Sequence, residues 1–328
     1  MKGLRKSLFL VLALSLVLGI SGVALAQKTT QVSFGGSSSG GVMYYMAGAF
    51  ANSVTPRTPG INISNITTGA AVDNAIKVSL GELDLAVTYS SLVYEAAKGT
   101  GNFSDAGLAA QAQENLMGVG KAYDSDFYIV VFANSGINGI EDLNGKTVAC
   151  GNPGSGAQYI ADMVLDAFKI DCKREYLAFS DTAYAMKEGR IDAVCQAGSP
   201  SGAVTELSET ESIKVLPFTM EQIEELKAIS PFFFAAEMAA GRYKGVDEPV
   251  LLPHFRNYII ANKNLDPDVL YKMLEVAFQE DVLAELVAGH RNWAQFAEDT
   301  AAFEALGLKV HPGAVKYFED HPEAPRAY

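Results

Sequence analysis

Two runs rich in glycine and serine carry the residue types that capture small anions. They are Gly35-Gly36-Ser37-Ser38-Ser39-Gly40-Gly41 and Gly151-Asn152-Pro153-Gly154-Ser155-Gly156. Each follows a short apolar stretch that reads as a strand, and each precedes a helix-like apolar stretch, residues 42–54 and 157–168. At such a junction the first N–H groups of the helix are unpaired and its end is partly positive. That is worth about 0.3–1 kcal/mol to a nearby anion. Glycine lets the backbone approach closely, and serine adds hydroxyl donors. A single loop of this kind is an ordinary strand-to-helix turn; two in matching places point to a binding cleft.

The elements around the two loops repeat. In the first half come strand, Gly/Ser loop, helix, strand 61–66, a Thr67-Thr68-Gly69 turn, helix 71–80 and strand 83–87, which ends in Thr88-Tyr89-Ser90-Ser91. The order returns after residue 144: strand 147–150, loop, helix 157–168, strand 174–179, helix 181–188 and strand 191–194. This last strand ends in Gln196-Ala197-Gly198-Ser199-Pro200-Ser201. Gly81-Glu82-Leu83-Asp84 and Gly189-Arg190-Ile191-Asp192 share a G-x-[LI]-D pattern, and both glycines are placed to end a helix. Alternating strands and helices imply an α/β fold with parallel sheets, whose ligands gather beyond the carboxyl ends of the strands. Asp84 and Asp192 are expected to brace the scaffold, since a carboxylate in the cleft would repel an anion.

The chain has 328 residues, 49% hydrophobic and 19% charged, an ordinary globular composition long enough for two cores. Its 38 acidic against 25 basic residues give a formal charge of −13, which argues against a nucleic-acid partner. Residues 1–26 read as a cleavable secretory signal peptide. Lys2, Arg5 and Lys6 precede an apolar run from 8 to 18, and Ala24-Leu25-Ala26 is an A-x-A cleavage site. The competing membrane anchor is disfavoured because the run falls short of the ~18 residues that a span needs. The protein is therefore expected in the periplasm.

Other chemistries find little support. Gly36-Ser37-Ser38-Ser39-Gly40 formally satisfies the G-x-S-x-G of a serine hydrolase. Its base would have to be His254, His290, His311 or His321, all in the last quarter of the chain, and His311 reads as structural. Gly145-Lys146-Thr147 lacks the earlier glycine of a phosphate-binding P-loop and precedes its strand instead of following it. Cys150, Cys172 and Cys195 cannot pair completely, and no C-x-x-C or H-x-x-x-H is present. No enzyme activity, metal or cofactor is expected.

Several segments resemble the TAXI family, the extracytoplasmic solute receptors of TRAP transporters. Ser38-Ser39-Gly40-Gly41-Val42-Met43-Tyr44 is similar to that family's S-T-G-G-T-Y-Y stretch, and residues 67–74 to T-T-G-G-S-V-E-N. Residues 142–148 resemble D-L-K-G-K-R-V, residues 151–156 resemble G-P-P-G-S-G, and His311-Pro312-Gly313-Ala314 resembles a closing H-P-G-A. The resemblance implies a two-lobed periplasmic binding protein of the type II crossover kind, monomeric, with its ligand in the interlobe cleft. It would carry a small carboxylate, glutamate-like or a dicarboxylate or 2-oxoacid, to a membrane-embedded TRAP permease. An ABC-importer binding protein or a sensor for a membrane kinase would have the same lobes.

Tyr44 and Tyr89 are the expected aromatic walls, with core packing as the competing role for Tyr44. Ser38, Ser39, Gly40, Thr68, Gly69, Ser90, Ser155, Gly156, Gln158, Gly198 and Pro200 complete the expected ligand contacts. Turn or cap duty competes for Thr68 and Ser90, whereas Ser155 suits both a cap and a contact. Met43, Ala70, Ala71 and Ala157 depart from the family pattern by losing hydroxyls or glycine. No arginine clamp accompanies the motifs. Lobe one is expected over residues 27–125 plus 253–328 and lobe two over 126–252, with crossings near 127–132 and 256–261.

Overall fold

The computed structural model describes residues 29–327; the expected signal peptide lies outside them. The first half runs β1 (Thr30–Gly35), α1 (Val42–Val54), β2 (Ile61–Ile66), α2 (Ala71–Leu80), β3 (Leu85–Tyr89), α3 (Ser90–Lys98) and α4 (Ala106–Asn115). The long β4 (Leu116–Phe132) leads into β5 (Thr147–Ala149), α5 (Gly156–Ala167), β6 (Lys173–Glu175), α6 (Phe179–Lys187) and β7 (Ala193–Ala197). Then come α7 (Gly202–Thr210), β8 (Ile213–Val215), α8 (Met220–Ile229), β9 (Phe234–Met238) and the long β10 (Val250–Asn262). The chain closes with α9 (Pro267–Ala277), α10 (Glu280–Gly289), α11 (Thr300–Leu306) and α12 (Pro312–Asp320).

Strand order makes the repeat explicit. In the first half it is β2-β1-β3-β10-β4, and in the second β6-β5-β7-β4-β8. In each, three parallel strands are followed by an antiparallel one contributed by a long strand. The strand β4 changes partner midway: Asp126 pairs with His254 of β10, and Phe127 pairs with Ala197 of β7. Likewise β10 pairs with β9 up to His254 and with β3 and β4 beyond it. The fold is a two-lobed α/β binding-protein fold with crossover connections.

The parallel strands are buried as the pattern demands. All five residues of β3 are buried, because helices cover both faces of a parallel sheet. Helix α1 turns Met46, Ala47, Phe50 and Val54 inward. The Phe50 ring meets Phe34 at 5.3 Å and stacks on Trp293 at 5.4 Å, and the Trp293 indole donates to Met46 O. The C-terminal helices are thereby seated on the first half. Helix α2 ends at Gly81, whose φ of +75° favours glycine.

The two G-x-[LI]-D aspartates do the same work. The Asp84 carboxylate accepts from Ser33 N at 2.8 Å and Ser33 Oγ at 2.7 Å, and that of Asp192 accepts from Thr147 N at 2.8 Å. Each fastens the third strand of its half to the first, at the end remote from the loops. Strand 174–179 is shorter than its apolar pattern suggested, and α6 starts two residues earlier than expected. Residues 176–178 run irregularly between β6 and α6, with Ala178 extended as the N-cap.

Candidate functional site

The cleft forms where the two sets of loops face each other. A cavity of about 30 Å³ is lined by Ser37, Gly41, Val42, Met43, Ala70, Tyr89 and Tyr123, and across from them by Ser155, Ala157, Phe179 and Ala197. Larger hollows lie elsewhere on the surface. One of about 560 Å³ lies beside Lys121, Asp124 and Arg256, and one of about 480 Å³ beside Tyr45 and Gly289. The small cavity brings the carboxyl ends of β1, β3 and β7 together with the start of α5, so the chemistry is sought there.

Register places the two tyrosines. Tyr89 and Tyr123 both stand opposite Asn257 of β10, so all three side chains share one face of the sheet. Asn257 is wholly buried and donates to Ser125 Oγ at 2.7 Å and Tyr123 O at 3.2 Å, which fixes the row. The Tyr89 ring is held edge-on to Phe255 at 4.7 Å. Burial pushes the Tyr89 phenol well above its ordinary pKa, with Tyr123 adding to the effect. Burial raises Tyr123 as well. Both therefore remain O–H groups at every physiological pH.

From the other side, Ser155 caps α5 by accepting from Gln158 N at 3.1 Å. Among the described residues nothing accepts the hydroxyl proton of Ser155, leaving it available at the helix N-terminus. Gly156 touches Tyr89 closely: a β-carbon built there would lie 2.6 Å from the phenol oxygen. Gly151, at φ +88°, likewise has no room, since a β-carbon would come within 2.9 Å of Ala157. The amide of Gln158 accepts from Gly154 N at 2.6 Å and donates to Asp162 at 3.2 Å, so it braces the loop.

In the first loop the inward serine is Ser37. It is 3% exposed, accepts from Tyr44 N at 3.2 Å and donates to Ser38 O at 3.1 Å. Ser38, the exposed Ser39 and Gly40 (φ +92°) form a tight turn closed by Gly41 N donating to Ser38 O, and they do not line the cavity. Tyr44 packs edge-on to Tyr45 and lines the 480 Å³ hollow instead. Thr68 donates to Gly36 O at 3.0 Å and accepts from Ala70 N at 3.1 Å, while Gly69 N donates to Asp73. These are turn duties. Asn74 ties the ends of β1 and β3 together through Gly36 O and Val87 O, both at 2.8 Å.

Ser90 follows Tyr89, is buried, and its hydroxyl has no partner among the described residues. Gly198 (φ +96°) sits where the halves touch, its α-carbon region facing Ser125 and Val42. Pro200 follows a cis peptide bond at Ser199, whose hydroxyl donates to the buried Asp126 at 2.6 Å. At the rim, the Tyr159 phenol donates to Glu95 at 2.9 Å and the Tyr94 ring lies 5.4 Å from Phe232, joining α3 to the second half.

Of the expected contacts, Tyr89 and Ser155 line the cavity and Gly156 and Gly198 adjoin it. Sequence reasoning missed Ser37, Val42, Met43, Tyr123, Phe179 and Ala197. Ser37 and Ala197 were legible as neighbours of the loops; Tyr123 was not, because its face depends on the register of β4 with β10. No histidine is hydrogen-bonded to Ser38 among the described residues. The His311 ring instead accepts from Gly313 N at 3.2 Å and meets Leu265 O at 3.0 Å, as the cap of α12.

The crossover strands and the cleft at their carboxyl ends define a two-lobed α/β fold. The chain belongs to the NMT1-like family, which matches over residues 34–321. Among solved structures it is similar to the periplasmic aliphatic sulphonate binding protein SsuA from Escherichia coli. The two share 16% identity over 89% of this chain and 88% of that one, at a TM-score of 0.47. A putative L-cystine ABC transporter protein from Listeria monocytogenes is 13% identical over 82% and 99%, at 0.49. The probable amino-acid ABC transporter extracellular-binding protein ytmK from Bacillus subtilis is 17% identical over 79% and 97%, at 0.47. No helix among the described residues is long and apolar enough to cross a membrane.

Proposed function

We propose that this protein is an extracytoplasmic solute receptor that captures a small carboxylate between its lobes and hands it to a membrane permease. One observation carries the reading: Tyr89 of the first half meets Ser155 and Gly156 of the second around a buried cavity. The phenol, the Ser155 hydroxyl and the open N–H groups of α5 are all donors, a set that suits an anionic oxygen pair. The lobes divide as residues 27–125 plus 253–328 and residues 126–252. The partner changes of β4 at Asp126/Phe127 and of β10 at His254 support this division.

Two permease classes fit the hand-over. The motif resemblance stands on the side of a TRAP permease; the solved binding proteins named above stand on the side of an ABC importer. The permease encoded beside the gene, reconstituted in vesicles with the receptor, decides between them by which one takes up ligand. Capture itself is tested by titrating the refolded, ligand-stripped protein with glutamate, 2-oxoglutarate, succinate, malate and short monocarboxylates, with sugars and cationic amino acids as controls. One-to-one binding of a carboxylate is expected; a response confined to sugars or cations overturns the reading.

A further inference from the structure

The cavity lining separates classes of carboxylate from one another. Its polar members are Ser37, Tyr89, Tyr123 and Ser155, all hydroxyl-bearing, and the rest of the wall is aliphatic, aromatic or glycine. Among the lining residues there is no Lys, Arg, Asp, Glu or His. A ligand's ammonium group would enter without a carboxylate to receive it, and a second carboxylate would enter without a cation. An unpaired charge in a buried site is strongly disfavoured.

Size points the same way. The cavity of about 30 Å³ is far below the ~300–1,000 Å³ of ordinary small-molecule sites, so the lobes must part to admit any ligand. A ligand must part the lobes by its own bulk while the Tyr89–Gly156 contact and the Tyr159–Glu95 hydrogen bond hold the rim close. The larger the ligand, the more of these contacts its entry must give up. Val42, Met43 and Ala157 meanwhile offer an apolar surface that a bare hydrated anion would leave uncovered.

We infer that the ligand is a small monocarboxylate whose remaining substituents are uncharged and mostly apolar, such as a short-chain aliphatic or 2-oxo acid. The inference rests on the solute-receptor reading and narrows it. The carboxylate lies against the Tyr89 phenol and the start of α5, and the tail lies against Val42, Met43 and Ala157.

The test is calorimetric titration of the purified protein, denatured and refolded to remove carried-over ligand. Acetate, propionate, butyrate, pyruvate and 2-oxoisovalerate form one arm; alanine, succinate, glutamate and 2-oxoglutarate form the other, and propionamide is the uncharged control. The expected result is that a monocarboxylate binds at least tenfold tighter than the zwitterion or dicarboxylate of similar length, with propionamide silent. Tighter binding of glutamate, succinate or 2-oxoglutarate overturns the inference and leaves the receptor reading standing. Binding of no carboxylate at all overturns that reading and the inference with it.

Discussion

The Tyr89 phenol and Gly156 lie so close that a single methyl group on Gly156 would sit 2.6 Å from the phenol oxygen and its ring carbon. The ring cannot step aside, because it is buried and held against Phe255. One residue belongs to the first half and the other opens α5 of the second, so their contact measures how far the cleft can close. Gly156→Ala is therefore expected to keep the lobes apart and to weaken ligand binding at least tenfold, about 1.4 kcal/mol. Adding Tyr89→Leu should restore closure, read as radius of gyration by X-ray scattering, without restoring affinity. Unchanged affinity in Gly156→Ala would show that the ligand does not need this contact.

Rim contacts should govern release. Tyr159→Phe removes the phenol's hydrogen bonds, the one to Glu95 and the one with Ser91, and keeps the ring. A net loss of about 0.5–1.5 kcal/mol is expected, appearing as a several-fold faster dissociation with little change in association. Stopped-flow displacement reads both rates.

The two strand-pinning aspartates should differ in weight. Asp84 is half-buried and accepts two hydrogen bonds, whereas Asp192 is exposed and accepts one. Asp84→Ala is expected to cost about 1.5–3 kcal/mol of stability and Asp192→Ala about 1 kcal/mol or less, by denaturant unfolding. Neither should change ligand affinity once the protein is folded, because both lie at the strand ends remote from the cleft.

Much of the scaffold was legible in the sequence, and the reason is local. Each half announces itself by apolar strand runs, Gly/Ser loops and helix-ending glycines at Gly81 and Gly189, all short-range signals. The loops located the cleft as well, and Ser155 and Tyr89 stand in it. Which serine of the first loop lines the cavity was not legible: Ser37 does and Ser38 and Ser39 do not, since their placement depends on the tight turn at Gly40. The choice between the two roles open to Tyr44 needed the rotation of α1, which sets Met43 at the cavity and Tyr44 at the outer hollow. Tyr123 needed the register of β4 against β10, a long-range property that no local pattern carries.

Acid should loosen the C-terminal helices. Burial, with Arg291 adding to it, lowers the pKa of His290 to about 4, and its neutral ring accepts from Asn292 N at 3.2 Å. The folded value lies below the unfolded one of about 6.5, so the unfolded chain takes up the proton first. The contribution of His290 to stability is therefore complete above pH ~6.5 and is lost as pH falls toward 4. His290→Asn keeps an acceptor for the cap and removes the titration. Its melting temperature should fall less steeply than that of the wild type between pH 6.5 and 4.

The central claim is that a carboxylate binds at the start of α5, and Ser155→Asp tests it most directly. Aspartate caps a helix as serine does, so the variant should still fold and melt cooperatively, the cap offsetting part of the cost of burying its charge. Its negative charge, however, would stand where the ligand's carboxylate is placed. Calorimetric titration of both proteins with the tightest-binding carboxylate should give one-to-one binding in the wild type and a loss of at least a hundredfold in the variant. Equal affinity in a normally folded Ser155→Asp protein would contradict the account.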